Sequence, residues 1–217
     1  MFWSRPQVSP DMKDWIEECF DWFDDRFEPP ETPILPTKSF FKAGGGESEE
    51  TARQVLKDVT RILHFDAPIN LIPLDLLSAE YRLDYNSTSA VAGTYQNDGE
   101  TVLIRYDPEL LKSPLQFINI LAHEVMHARL SGLEDEVPGG AGAHELSTDL
   151  GCIIAGFGVF QLQGADDAGW TGYLSQDSRT HALALFLKRR RLGRECVSGH
   201  LTPRCQKLLT RAIKALP

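Results

Sequence analysis

The amino-acid sequence predicts an α+β fold, with a small β-containing N-terminal lobe and a helical C-terminal lobe. Two observations carry the prediction. The clearest strand–turn–strand pattern lies at residues 89–106, around Asn97-Asp98-Gly99. Helical apolar patterns flank it at 11–28, 49–64 and 115–130, and helical character returns from Ser178. With 217 residues, 42% of them hydrophobic and 24% charged, the chain is long enough for a sizeable core. It divides into residues 1–46, an N-terminal helix and connector packing on the domain, and residues 47–217, the domain itself.

Residues 11–28 start after Ser9 and Pro10, both helix-opening residues. Trp15, Ile16, Cys19, Phe20, Trp22, Phe23 and Phe27 form one apolar face, opposite Asp14, Glu17, Glu18, Asp21, Asp24 and Asp25. Such a face must be covered, either by its own domain or by a dimer or partner contact. The stretch 29–46 is too punctuated by proline and glycine to form an element. Gly44-Gly45-Gly46 lacks the Lys-Ser/Thr of a phosphate-binding loop. Residues 49–64 follow as a helix with Val55, Leu56, Val59, Ile62 and Leu63 on one side and His64 at its end. A short apolar segment at Ile69–Pro73 precedes the hairpin.

The segment after the hairpin chooses a chemistry. His123-Glu124-Val125-Met126-His127 lies within Leu115–Leu130, where apolar residues occupy nearly every side of a helix and imply burial. Imidazoles four residues apart project from one helical face, close enough to share a metal ion. Glu124 sits about 100° round from His123, so it flanks a metal without having to bind it. Burying these three side chains costs several kcal/mol unless they are paired or bound to metal. Zinc suits neutral imidazole and acidifies its water, which makes Glu124 the candidate general base.

A catalytic zinc takes three protein ligands and keeps a position open for water. Glu145, in Gly142-Ala-His144-Glu145-Leu-Ser-Thr-Asp149, is the candidate third ligand, and the adjacent His144 is its rival or a supporting residue. Asp149 falls on the same helical face as Glu145, where it could accept the outer N–H of a metal-bound histidine.

HExxH followed by Glu-x-x-x-Asp resembles the gluzincin group of zincin metallopeptidases, of which thermolysin is the familiar member. The resemblance covers roughly residues 90–150. It implies a zincin-like fold, one Zn²⁺ per chain held by His123, His127 and Glu145, support of His123 by Asp149, and hydrolysis of a peptide or protein substrate. It also implies an edge strand at residues 90–95 that takes an extended peptide by strand addition. Leu130 and Leu133 stand where a metzincin would need glycine and histidine. Members of the group draw an oxyanion donor from the C-terminal lobe, and Tyr173 and His181 are the candidates here. The alternative is a latent or non-catalytic zinc-binding regulatory module on the same fold.

Beyond Asp149, Gly156 and Gly158 in an apolar stretch permit close backbone approach, and 161–175 reads as a Gly- and Asp-rich loop. From Phe186 to Pro217 nine Lys/Arg face Glu195 alone, within a chain of net charge −9. That segment is expected to pair with the acidic body, and the pI near 5.1 argues against nucleic-acid binding. Cys19, Cys152, Cys196 and Cys205 form no CxxC pair and read as reduced thiols. With no signal peptide or membrane-length apolar run, the expectation is a cytoplasmic protein away from membranes.

Overall fold

The computed structural model describes residues 8–74, 93–97, 101–167 and 172–216. In chain order its main elements are α1 (Pro10–Arg26), α2 (Glu49–Ile62), β1 (Ile69–Pro73), β2 (Gly93–Asn97), β3 (Val102–Tyr106), α3 (Pro114–Leu130), α4 (His144–Cys152), α5 (Gln176–Arg189) and α6 (Pro203–Ala215). They group into two compact units, Pro36–Ser131 and the pair Met1–Leu35 with Gly132–Pro217.

The unit Pro36–Ser131 is built on a three-stranded sheet of order β1-β3-β2. The expected hairpin is present: β2 and β3 run antiparallel, with Gly93 opposite Tyr106 and Asn97 opposite Val102. Its turn and residues 90–92 lie outside the described residues, so the edge expected at 90–95 is seen from Gly93 onward, in the outer strand β2. The apolar segment Ile69–Pro73 becomes β1 and pairs parallel with β3, Ile69 opposite Val102. No local pattern announces a parallel partner some thirty residues away; β3 supplies the reason, since it alternates along its length and buries Val102, Ile104 and Tyr106. Helix α3 packs against α2 and β2, and Phe117 meets Tyr106 with ring centroids 5.4 Å apart. Proline at its first position opens α3, where a missing N–H costs nothing. The connector is tied to α2 by Asp58, buried, whose carboxylate accepts the Lys42 amide at 2.7 Å.

In the other unit α1 packs against α4 and α5. Ile16, Cys19, Phe20 and Phe23 are buried there, while Trp15, Trp22 and Phe27 of the same face are half-buried. Its acidic flank meets the basic segment: Arg189 pairs with Asp21 at 2.6 Å and Arg190 with Asp24 at 2.7 Å. Arg204 pairs with Asp166, whereas Arg194, Lys207 and Arg211 line an open groove beside α6. Among the described residues, acidic partners are thus seen for Arg189, Arg190 and Arg204.

After α4 the chain turns through two π-helical segments, Ile153–Phe157 and Phe160–Gly164. Gly156 has φ +93°, and a Cβ there would sit 3.0 Å from both Pro30 and Ile34. Gly158 makes the same kind of room for Leu183 of α5. The loop expected at 161–175 is helical to Asp167: Gln163 donates to Asp167 one turn on at 2.7 Å, and a tertiary bond from the Thr202 amide to the Gln163 side-chain carbonyl oxygen, at 2.8 Å, ties the segment to the start of α6. Cys19, Cys152 and Cys205 are buried and Cys196 half-buried, and none of the four is in a disulfide. Among the described residues no helix is long and apolar enough to cross a membrane.

Candidate metal centre

Helix α3 carries the two histidines through its buried middle. His127 is buried and His123 half-buried, and their Nε2 atoms approach to 3.0 Å. The rings stand edge to face, centroids 4.6 Å apart. Two ring nitrogens this close either share a proton or turn both lone pairs toward one cation. Glu124 lies between them in sequence and is only 5% exposed, on a helix whose other buried positions include Phe117, Ile118, Leu121, Val125 and Met126. A carboxylate does not settle in such company without a polar task.

Helix α4 has its own means of placement. Gly139 and Gly140 adopt φ of +90° and +62°, turning the chain into a short 3₁₀ segment at Ala141–Ala143. Trp15 of α1 pins this turn by donating its indole N–H to the Pro138 carbonyl at 2.8 Å. Glu145 then falls in the first turn of α4, half-buried, where the helix dipole favours a negative charge. His144 is half-buried, and its carbonyl accepts the Thr148 hydroxyl at 2.9 Å.

Asp149, one turn after Glu145, is buried, and its Oδ2 accepts three hydrogen bonds. The Tyr173 amide donates at 2.8 Å, the Leu174 amide at 3.1 Å and the Arg179 guanidinium at 3.0 Å. Arg179 is itself 2% exposed. Sequence reasoning missed it; the one available signal was an arginine at the head of the apolar run Ala182–Leu187. Tyr173 combines a backbone held by Asp149 with a side chain that is 51% exposed.

His181 is placed differently. It lines a cavity of about 120 Å³ with Val8, Lys13, Asp177, Thr180, Leu208, Ala212 and Ala215, a lining that includes none of the other candidate residues. Burial, with the nearby Lys13 charge, holds its imidazole below the ordinary histidine range, and Glu17 opposes them.

Among the described residues, the metal-ligand side chains that stand together within one unit are His123 and His127, while Glu145 lies on α4 in the other unit. Cys196, His200 and Cys205 do not form such a group. Neighbouring ligands around a tetrahedral zinc stand about 3.3 Å apart at Zn–N distances of about 2.0–2.1 Å, so the 3.0 Å histidine spacing is compatible with a shared ion. Two imidazoles and a carboxylate are also a donor set that catalytic zinc takes.

Searches against known proteins return nothing: no family model, no curated protein and no solved structure matches the chain.

Proposed function

We propose that this protein is a zinc-dependent metallopeptidase of gluzincin type, hydrolysing peptide bonds in a peptide or protein substrate. The 3.0 Å approach of the His123 and His127 rings, beside the buried Glu124, supports the reading, and Glu145 completes the ligand set with the two histidines. Those three residues hold the ion. When bound, zinc lowers the pKa of its water and polarises the substrate carbonyl.

The chain's own residues do the rest. Glu124 accepts a proton from the attacking water and delivers it to the amine nitrogen as the peptide bond breaks. Its burial keeps bulk water from competing for that proton. Asp149 holds the Tyr173 and Leu174 amides and the Arg179 guanidinium through Oδ2, and the resemblance gives it the support of His123 as well. Tyr173, with an exposed phenol, is better suited than His181 to steady the developing oxyanion, because His181 faces a cavity of other composition. As the outer strand, β2 offers its backbone to an extended substrate. Four cysteines outside any disulfide suit a reducing compartment, so a cytoplasmic setting belongs to the same proposal.

Elemental analysis of purified wild type, Glu124→Gln and Glu145→Ala, with hydrolysis of a mixed peptide library, tests this. The proposal expects one zinc per chain in wild type and Glu124→Gln, less in Glu145→Ala, and cleavage by wild type alone. Zinc without cleavage moves the assignment to a latent or regulatory zinc-binding module. Absence of zinc from wild type refutes the metal site.

A further inference from the structure

The Asp149–Arg179 pair is unusual in what it holds. Both side chains are almost wholly buried, at 3% and 2% exposure. All three donors converge on one oxygen, and two of them are consecutive backbone amides, those of Tyr173 and Leu174. Gly172 completes the joint. It has φ +103°, and a Cβ there would stand 1.9 Å from the Arg179 guanidinium and 3.1 Å from Asp149 Oδ2. Glycine is thus required twice, for the backbone conformation and for the space the guanidinium occupies. Leu174, next along, is buried and anchors the far side of the segment.

The result is a loop held rigidly by its backbone that nevertheless presents a large aromatic side chain to solvent. A buried ion pair is a costly way to hold a loop, since hydrophobic residues of similar volume often do as well. What the carboxylate adds is geometry. It binds 172–174 directly to α4, the helix that carries Glu145 four residues before Asp149.

We propose that Arg179 is a positioning residue: with Gly172 it latches the Tyr173 segment onto Asp149, and so fixes Tyr173 relative to α4 and its ligand Glu145. The inference rests on the metallopeptidase reading for its catalytic consequence, but the latch itself does not depend on metal. Arg179 orients Asp149, Asp149 orders the loop amides, and the ordered loop sets the phenol. Lysine at 179 keeps the charge but loses the planar fork that aims it.

The test uses full-length protein with Zn²⁺, comparing wild type, Arg179→Lys, Gly172→Ala, Tyr173→Phe and Arg179→Lys/Tyr173→Phe. Amide hydrogen exchange is read at Tyr173 and Leu174 against the α5 amides. Peptide turnover is read as kcat and KM. The expected result is exchange at those two amides at least tenfold faster in Arg179→Lys and Gly172→Ala, with α5 unchanged. For turnover, Arg179→Lys and Tyr173→Phe each lower kcat about tenfold or more while KM stays within about twofold, as for loss of a transition-state contact. In the Tyr173→Phe background Arg179→Lys then costs less than about twofold further. Unchanged exchange overturns the latch, and multiplicative kcat losses overturn positioning of Tyr173. If wild type neither binds zinc nor cleaves, the metallopeptidase reading and the catalytic role given to Tyr173 fall together, while exchange still decides the latch.

Discussion

Replacing Arg179 by methionine removes one member of a dry ion pair and leaves the shape of the side chain largely intact. Breaking a buried pair from one side costs about 3–5 kcal/mol, because the remaining charge is stranded. Two features of the structure place this case near the lower end. Asp149 would keep the amide bonds from Tyr173 and Leu174 at 2.8 and 3.1 Å. The lost guanidinium also has a buried Nε with no hydrogen-bond partner among the described residues, so its removal relieves some desolvation cost. The expected loss is about 3 kcal/mol, or roughly 6–12 °C in melting temperature for a chain of this size. Urea unfolding measures it, with Arg179→Met/Asp149→Asn as companion. There no charge is stranded and the asparagine oxygen still accepts the two amides, so at least half the loss should return. A loss below about 1 kcal/mol in the single variant, or a double variant no more stable than the single, would refute the reasoning.

If the histidines and Glu145 bind zinc, free Zn²⁺ at about a hundred times its dissociation constant should stabilise the native protein by about 2.7 kcal/mol, seen as a rise in melting temperature that a chelator reverses. Glu145→Ala should largely abolish that shift, whereas Glu124→Gln should retain it while lowering turnover by about 10²–10⁴-fold, the range of general-base removal. Stability should fall as the solution is acidified below pH about 6.5, where the unfolded chain takes up a proton that buried His181 resists, and on down to the lowered folded-state value. Unfolding at pH 7 and pH 5 in wild type and His181→Gln checks this, the variant showing the weaker dependence. Gly156→Ala should destabilise by about 1–2 kcal/mol, since it forces a Cβ into left-handed backbone against Pro30 and Ile34; an unchanged urea midpoint would count against that packing.

Much of the local structure was legible because local chemistry decides it. The hairpin followed from alternation around Asn97-Asp98-Gly99, and β2 and β3 occupy that position. The buried character of α3 followed from apolar residues on every side, and the 3.0 Å approach of His123 and His127 from a four-residue spacing on one helix. The burial of Glu124 was readable for the same reason, since it sits in that all-round apolar stretch. These are interactions whose partners lie within a turn or two of chain, so sequence order already measures their distance.

Tertiary structure decided what depends on residues far apart. The parallel partner of β3, the helical path of 161–167, and the burial of Ile16, Cys19, Phe20 and Phe23 of α1, which packs on α4 and α5, each arise from surfaces that meet only after folding. Arg179 is the clearest instance. Nothing in its own stretch of sequence says that it meets Asp149, thirty residues away, or that Gly172 has no side chain because the guanidinium fills that space. Sequence by itself determined the donor chemistry and its helical spacing. Only folding decided which buried charge is matched by which, because desolvation penalises every unpaired choice and the chain must bring distant groups together to avoid it.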